Sequence, residues 1–508
     1  MIDVKLRIDY WHPVLWILVG LVLSISLSIH IVYTPDSMHY VDIARNLSSG
    51  EGLTTYYLNI DSASVPDRVL PWPPLYPFLL AAWMKAGLSA DWAVRLILVL
   101  SFVLSSIMIY ILARTLSGRQ VAVLSIVVWL CIAPFIRIWT FAWSEAVFIT
   151  LSGAFLMVLA ASARASFSLA KLVVAGALAG LAAICRYVGI ACILTALVSL
   201  AYLLYAVKPR RRKAQSLTWL FGILLGYIPV CLPWLFYNLS ITGSLTGVSR
   251  PPAVYGLLEN AARVLTILAR DLMLPVGILV TLAVLSPVNR GSLRSVFGRI
   301  SSTNTRAAVT ICCAWSVVYG LVIIVAASIC RFYRIDTRLV CPIYVGLIPL
   351  LIHIGYSIYT STQGRKVVLS RRALGVVLVI LIASAFGSAG IDVFRILRDR
   401  NRTSMTLTWI NETTPPSSLF IGGDISWVRF ETGRPVLESG WKSDSELTPE
   451  SVSRFLEKFG EHFSRTYLMY RELRADDLKT IERYRETGYS LTRLDVGETH
   501  VVYEIVQK

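Results

Sequence analysis

Asp36-Ser37-Met38-His39-Tyr40-Val41-Asp42-Ile43-Ala44-Arg45-Asn46-Leu47 begins only a few residues after an apolar stretch covering 14–32. That stretch is long enough to cross a bilayer, so the run after it sets a carboxylate beside a membrane surface. Charge next to hydrocarbon is costly, and an acid kept there is by default a site hypothesis. The ordinary alternative for a lone Asp is a helix cap. Tyr40, Ile43, Ala44 and Leu47 recur at helical spacing, which predicts a short helix lying on the membrane surface.

The remainder of the chain fits that surface. Among 508 residues, 56% are hydrophobic and 16% charged, and the mean hydropathy is +0.64, far more apolar than a soluble globular protein. The sequence reads as an integral membrane protein with eleven apolar spans: 14–32, 92–116, 121–135, 143–163, 172–184, 188–207, 217–237, 272–287, 307–329, 339–359 and 373–391. Several are shorter than a full crossing. Around Arg186-Tyr187 two spans share a tight polar break, which reads either as a loop or as a kink in one helix.

Charge fixes the expected orientation. The loops assigned to one side carry Lys5, Arg7, Arg114, Arg119, Arg164, Lys171, Lys208, Arg210, Arg211, Arg212, Lys213, Arg290, Arg294, Arg299, Arg306, Arg365, Lys366, Arg371 and Arg372, against only Asp3 and Asp9. The positive-inside rule makes that side cytoplasmic, with the N-terminus there and the tail extracytoplasmic. From Asp392 onward 17 basic and 19 acidic residues nearly cancel, so the formal net charge of +17 reflects topology, and nucleic acid is excluded as the expected partner. The first span has basic residues before it and no small-residue cleavage site after it, so it is expected to remain as an anchor. All eight cysteines lie in or beside spans, where small apolar packing is their simplest role.

Two regions are built to be outside yet ordered. The loop 33–91 is rich in Tyr, Trp and Pro and too long to be an unstructured connection. A second amphipathic helix is expected from Trp72-Pro73-Pro74-Leu75-Tyr76-Pro77 to about Gly87. The tail predicts strands at 419–422, 467–471, 491–495 and 501–506 alternating with helices at 449–462 and 475–487, a small α/β domain whose last two strands form a hairpin. The domains are therefore 1–391, transmembrane, and 392–508, extracytoplasmic. Gly422-Gly423-Asp424 is too little for a phosphate loop, and the tail carries no nucleophile triad or metal cluster.

Polar residues gather on the outer side: Asp36 and Asp42 in the first loop, Glu145 at the start of a span, Arg186-Tyr187 at the break, and Arg331, Arg334, Asp336 and Arg338 ahead of the span at 339. A guanidinium suits phosphate because its fork donates bidentate bonds, and a carboxylate near an acceptor hydroxyl can act as general base. Each has a plainer alternative: span-end arginines snorkel to headgroups, Glu145 caps its helix, Asp42 pairs with Arg45, and Trp72 with its neighbouring tyrosines forms an interfacial belt. His30 and His39 have no spaced partner for a metal.

Taken in order, the Asp36–Leu47 run, Trp72-Pro73-Pro74-Leu75-Tyr76-Pro77, Ser144-Glu145, Arg186-Tyr187 and Pro233-Trp234 ahead of Asn238 resemble the landmarks of the GT-C membrane glycosyltransferases. The likeness is to the branch holding protein O-mannosyltransferases and lipid A aminoarabinose transferases, and it extends to Trp409-Ile410 and Thr432-Gly433-Arg434-Pro435 in the tail. It implies a polyprenyl-phosphate-linked sugar donor, a lipid, glycan or protein acceptor on the outer side, and inversion at the anomeric carbon. By position, Asp36 would be the base or acceptor-orienting carboxylate with Glu145 beside it, Arg338 the donor-phosphate ligand with Arg334 and Arg186 behind it, and Tyr40, Asp42, Trp72, Tyr76 and Tyr187 substrate contacts. No cofactor is assigned, and a divalent cation is left open. Where the aminoarabinose transferases place a Lys before the paired prolines this chain has Trp72, which argues against the same donor sugar or requires another cation at the phosphate. A transporter or lipid flippase is the alternative; it would call for internal repeats, and none is evident. A non-catalytic assembly protein that uses its tail as a binding module is a third reading.

Overall fold

The computed structural model describes residues 31–507 except 60–63, 69–71, 133–134, 165–167, 206–208, 248–251, 285–302, 331–333, 362–403, 423–424, 439–446, 471–474, 495 and 497–499. The predicted spans 14–32, apart from its end, and 373–391 lie outside the described residues, as do Arg331 and Asp424.

Helices α1 (Pro35–Ser49) and α2 (Leu75–Lys85) occupy the first long loop, with strand β1 (Tyr57–Asn59) between them. A helical bundle follows, made of α3 (Ala90–Ser117), α4 (Arg119–Cys131), α5 (Phe135–Thr140), α6 (Glu145–Arg164), α7 (Leu169–Cys185), α8 (Ile190–Tyr205), α9 (Pro209–Thr242), α10 (Leu257–Val284), α11 (Thr303–Ile329), α12 (Thr337–Val340) and α13 (Tyr344–Ser361). Among the described residues five stretches are helical, long and apolar enough to cross a membrane: Ala90–Ser117, Glu145–Ala163, Leu217–Thr242, Thr305–Ile329 and Thr337–Ser357. Helices α4, α7 and α8 are apolar but shorter.

The break at Arg186 separates two helices. Helix α7 ends at Cys185, Arg186 is extended (φ −152°, ψ 133°), and a 3-10 turn over Tyr187–Gly189 leads into α8. A Cβ on Gly189 would stand 2.4 Å from the Ala182 carbonyl oxygen, so only glycine lets the turn lie flat on the end of α7.

Helices α7 and α9 meet backbone to backbone. Gly176 and Gly180 on α7, and Gly222 and Gly226 on α9, repeat every fourth residue, the spacing that strips one face of a membrane helix of side chains. A Cβ on Gly176 would be 2.1 Å from the Ile223 oxygen, and one on Gly226 would be 2.0 Å from the Val173 oxygen. Gly226→Leu should therefore force the helices apart and cost about 1–3 kcal/mol or more. Thermal unfolding in detergent should show a lowered midpoint. Gly320→Ala is the control: its added Cβ would meet only Ile343 Cδ1 at 3.7 Å, and the midpoint should hardly move.

Residues 404–507 supply α14 (Ser404–Thr413), β2 (Leu419–Gly422), α15 (Ser426–Thr432), β3 (Val436–Glu438), α16 (Pro449–Phe459), β4 (Thr466–Tyr470), α17 (Ala475–Glu486), β5 (Tyr489–Leu494) and β6 (Val501–Gln507). The strands form one sheet in the order β1-β3-β2-β4-β6-β5, parallel from β1 to β4 and antiparallel at β6 and β5. Strand residues alternate between its faces as the pleat demands. Leu419, Ile421, Leu437 and Leu468 pack with Val452 and Phe455 of α16 and with Ile481 and Tyr484 of α17. Phe420, Val436, Tyr467 and Met469 pack on the other side with Ile410, Ile425 and Val428. The outermost parallel strand, β1, comes from the first loop, with Tyr57 opposite Val436 and Asn59 opposite Glu438. Loop 33–91 is thus built into the sheet edge.

Candidate active site

Backbone pairing brings the first loop to the start of α6. Val32 N–H donates to the Thr140 carbonyl (3.0 Å) and Ala142 N–H to the Val32 carbonyl (3.1 Å). Two residues on, Trp143 Nε1 donates to Thr34 Oγ1 at 2.9 Å. Thr34 also begins α1: its N–H donates to Ser37 Oγ (3.2 Å), and Pro35 occupies the first turn, where no N–H is needed. Tyr33 and Asp91, at the two ends of the loop, are joined through the Tyr33 hydroxyl. Asp36, in the first turn of α1, and Glu145, the first residue of α6, are thereby fixed at one end of the bundle.

Arg186 and Arg338 complete the cluster. Arg186 is presented by the extended residue between α7 and α8. Arg338 sits on α12, which Asp336 caps by accepting from Leu339 N–H (3.2 Å) and which α11 holds through Tyr319 Oη donating to the Leu339 carbonyl (3.1 Å). Trp315 Nε1 adds a bond to the Pro342 carbonyl at 2.8 Å. Arg338 Nη1 lies 3.0 Å from Asp36 Oδ2, and its Nε lies 3.1 Å from Glu145 Oε1. Arg186 Nη1 lies 2.7 Å from the same Glu145 oxygen. The Arg338 guanidinium also stands over the Trp143 ring, 4.8 Å from its centroid.

Burial divides the four groups. The Glu145 side chain is 2% exposed, whereas Asp36 (20%), Arg186 (17%) and Arg338 (17%) reach the opening. Glu145 is therefore the closed end of the network, and two guanidiniums share its charge. Asp36 covers the open side of Arg338. Two acids and two arginines are formally neutral together, and an entering phosphate anion would compete with Asp36 for Arg338.

Ser144 and Trp143 belong to the site although the sequence reading assigned them no role. Ser144 Oγ accepts from Arg186 Nη1 (3.1 Å) and lies 3.2 Å from Tyr40 Oη. Their adjacency to Glu145 at a span start was the available signal. Tyr40 lies one turn from Asp36 on α1; burial pushes its phenol well above the ordinary value and keeps it neutral. It packs edge-on against Trp72 (5.7 Å) and Tyr76 (5.1 Å), and Trp72 also meets His39 (4.7 Å). Trp72 and Tyr76, both buried, thus pack around Tyr40.

Three other expected contacts lie elsewhere. Asp42 does not face the cluster: it is 1% exposed, pairs with Arg429 Nε at 2.7 Å, and accepts from Thr55 Oγ1 and Tyr56 N–H at 2.9 Å each. Six residues from Asp36, it lies about 240° round the helix, which turns it towards the sheet. Tyr187 accepts from Asn238 Nδ2 at 3.2 Å and packs with Ile43 and Trp234. Arg334 is exposed, with its guanidinium 6.0 Å from the Tyr255 ring centroid.

Residues 72–237 match the sequence profile of the dolichyl-phosphate-mannose-protein mannosyltransferases. No curated protein sequence matches the chain. The fold is similar to that of ArnT from Cupriavidus metallidurans in the apo state, over 98% of both chains, with a TM-score of 0.63 at 14% identity. The same protein bound to undecaprenyl phosphate aligns over 97% of this chain and 98% of its own, with a TM-score of 0.60 at 14% identity. The Archaeoglobus fulgidus oligosaccharyltransferase in the apo form aligns over 98% of this chain and 74% of its own, with a TM-score of 0.55 at 11% identity. The fold is therefore that of the GT-C membrane glycosyltransferases, the group to which the profile match on 72–237 also leads.

Proposed function

We propose that this chain, a membrane glycosyltransferase by fold and by profile match, moves a sugar from a polyprenyl-phosphate donor to an acceptor on the extracytoplasmic side, with inversion. The observation that carries the reading is the 3.0 Å contact between Asp36 and Arg338, groups 302 residues apart that meet at the more exposed end of a largely buried charge network. ArnT, the similar fold, binds undecaprenyl phosphate, which supports a lipid phosphate as the group that Arg338 meets.

In the proposed reaction the donor phosphate takes over the open side of Arg338, while Glu145 keeps its hold on Nε. Asp36, released from the guanidinium, accepts the proton of the acceptor group as that group forms its bond to the anomeric carbon. The bond from that carbon to the phosphate oxygen breaks on the opposite face, and the polyprenyl phosphate leaves with its new negative charge beside Arg338. A fixed guanidinium in a partly desolvated cleft stabilises such charge without reorganising. Arg186, tied to Glu145 and Ser144, holds the network from behind. The whole chain is expected to span the membrane about eleven times, with the N-terminus cytoplasmic and residues 392–508 outside, as the basic loops require.

Purified protein incubated with a panel of labelled polyprenyl-phosphate sugars tests the activity; polyprenyl-phosphate mannose comes first because of the profile match. Sugar loss from one or more donors is expected, and none from any donor would overturn the reading. Arg338→Ala should weaken undecaprenyl phosphate binding more than acceptor binding. A charge-assisted pair is typically worth about 1.5–3 kcal/mol, about 10- to 100-fold in affinity. Equal affinity in the variant would remove Arg338 from the phosphate site.

A further inference from the structure

The surface of α1 turned away from the charge cluster is bound to the C-terminal domain by three side chains. His39 Nε2 lies 3.6 Å from Glu438 Oε2, and its ring stacks on Tyr57 at 3.9 Å. Arg45 Nη1 donates to the Phe430 carbonyl at 3.1 Å. Between them is the Asp42–Arg429 pair. Arg429 is on α15, its guanidinium lies 4.5 Å from the Tyr56 ring centroid, and it also donates to the Gly433 carbonyl. Asp42 is doubly fixed, since its second oxygen takes Thr55 and Tyr56 at the entry to β1. Helix, loop strand and C-terminal domain therefore close on one carboxylate.

We infer that Arg429 is a positioning residue for Asp36, acting through Asp42 and the rigid body of α1. The inference rests on the proposed reading of Asp36 as the base. The proton-accepting carboxylate must stand within hydrogen-bond reach of the acceptor, and α1 is the only described element that carries it. Breaking a buried pair leaves the other charge without its partner, so losing Arg429 frees α1 to tilt. Asp36 then shifts relative to Arg338, which is held independently by α11 and by Glu145. The C-terminal domain thus acts on the chemistry by setting the geometry of a helix outside its own sequence. This assigns a role to Asp42 other than substrate contact.

The test uses the full chain with Arg429→Met, which keeps the hydrocarbon and removes the charge, and Arg429→Lys, which restores the charge without the fork. In the Met variant kcat with polyprenyl-phosphate mannose should fall by about 10- to 100-fold, the effect of misplacing a catalytic group by about an ångström. Affinity for undecaprenyl phosphate should not fall, because Arg338 is untouched and a displaced Asp36 competes less with the phosphate. Hydrogen exchange over residues 35–49 should quicken, and Arg429→Lys should fall between parent and Met in kcat and in exchange. A parent-like kcat in the Met variant, or donor affinity falling in step with kcat, would overturn the inference. Should the Met variant fail to purify as a monodisperse protein, the Lys variant decides alone, with a parent-like kcat counting against. Normal transfer by Asp36→Asn would instead defeat the functional reading, while hydrogen exchange would still report whether the clasp holds α1.

Discussion

Asp36→Asn should abolish sugar transfer and at the same time tighten the hold on polyprenyl phosphate. The first half follows from the role of the carboxylate: removing a general base costs about 10²–10⁴-fold in rate, and Asn cannot take the proton. The second half follows from the geometry. Asp36 occupies the open side of Arg338 at 3.0 Å, where the donor phosphate is proposed to bind. An amide of the same size withdraws that competing charge but leaves Arg338 on Glu145 and over Trp143. Undecaprenyl phosphate titrated into the variant should bind several-fold more tightly than into the parent, while turnover falls to background. Substantial turnover would remove the base assignment. Unchanged affinity with lost turnover would mean that phosphate and carboxylate do not share the guanidinium.

Glu145→Gln should have the largest effect on folding. A single carboxylate, 2% exposed, neutralises Arg186 at 2.7 Å and Arg338 at 3.1 Å, and these come from breaks far apart in the sequence. Neutralising it leaves two guanidiniums facing an amide that cannot balance either of them. Loss of one member of a buried ionic network costs about 3–5 kcal/mol, because the remaining charges stay desolvated. The expected result is a strongly lowered unfolding midpoint in detergent, with transfer lost as well. Arg186→Met added to Glu145→Gln should recover part of the midpoint by removing one orphaned charge. A Glu145→Gln protein as stable as the parent would show that solvent, rather than Glu145, balances the arginines.

Sequence and structure part company where partners are distant. Apolar length is a local property, so the bundle helices are legible from hydropathy alone, and polar residues at their ends mark where Glu145, Arg186 and Arg338 will stand. Which of them touch is not a local property: Asp36 and Arg338 are 302 residues apart. Within the run 36–47 a helical wheel already separates Asp36 from Asp42, but nothing near Asp42 announces Arg429, 387 residues downstream. Arg45, the local candidate, goes to Phe430 instead. Strands β1 and β3 are three residues each, too short for alternation to register, and β1 is a strand only because the edge of a sheet coded after residue 403 accepts it. Asn46-Leu47-Ser48 and Asn238-Leu239-Ser240 have the form of N-glycosylation triplets, a pattern common by chance, and both asparagine side chains are buried and bonded.

The most direct test of the central claim is a structure of the full chain with undecaprenyl phosphate bound. The account predicts phosphate oxygens in hydrogen-bond contact with the Arg338 guanidinium, the Asp36 carboxylate moved off that guanidinium, and Glu145 still paired to both arginines. A phosphate seated away from Arg338, with the Asp36–Arg338 pair intact, would contradict it.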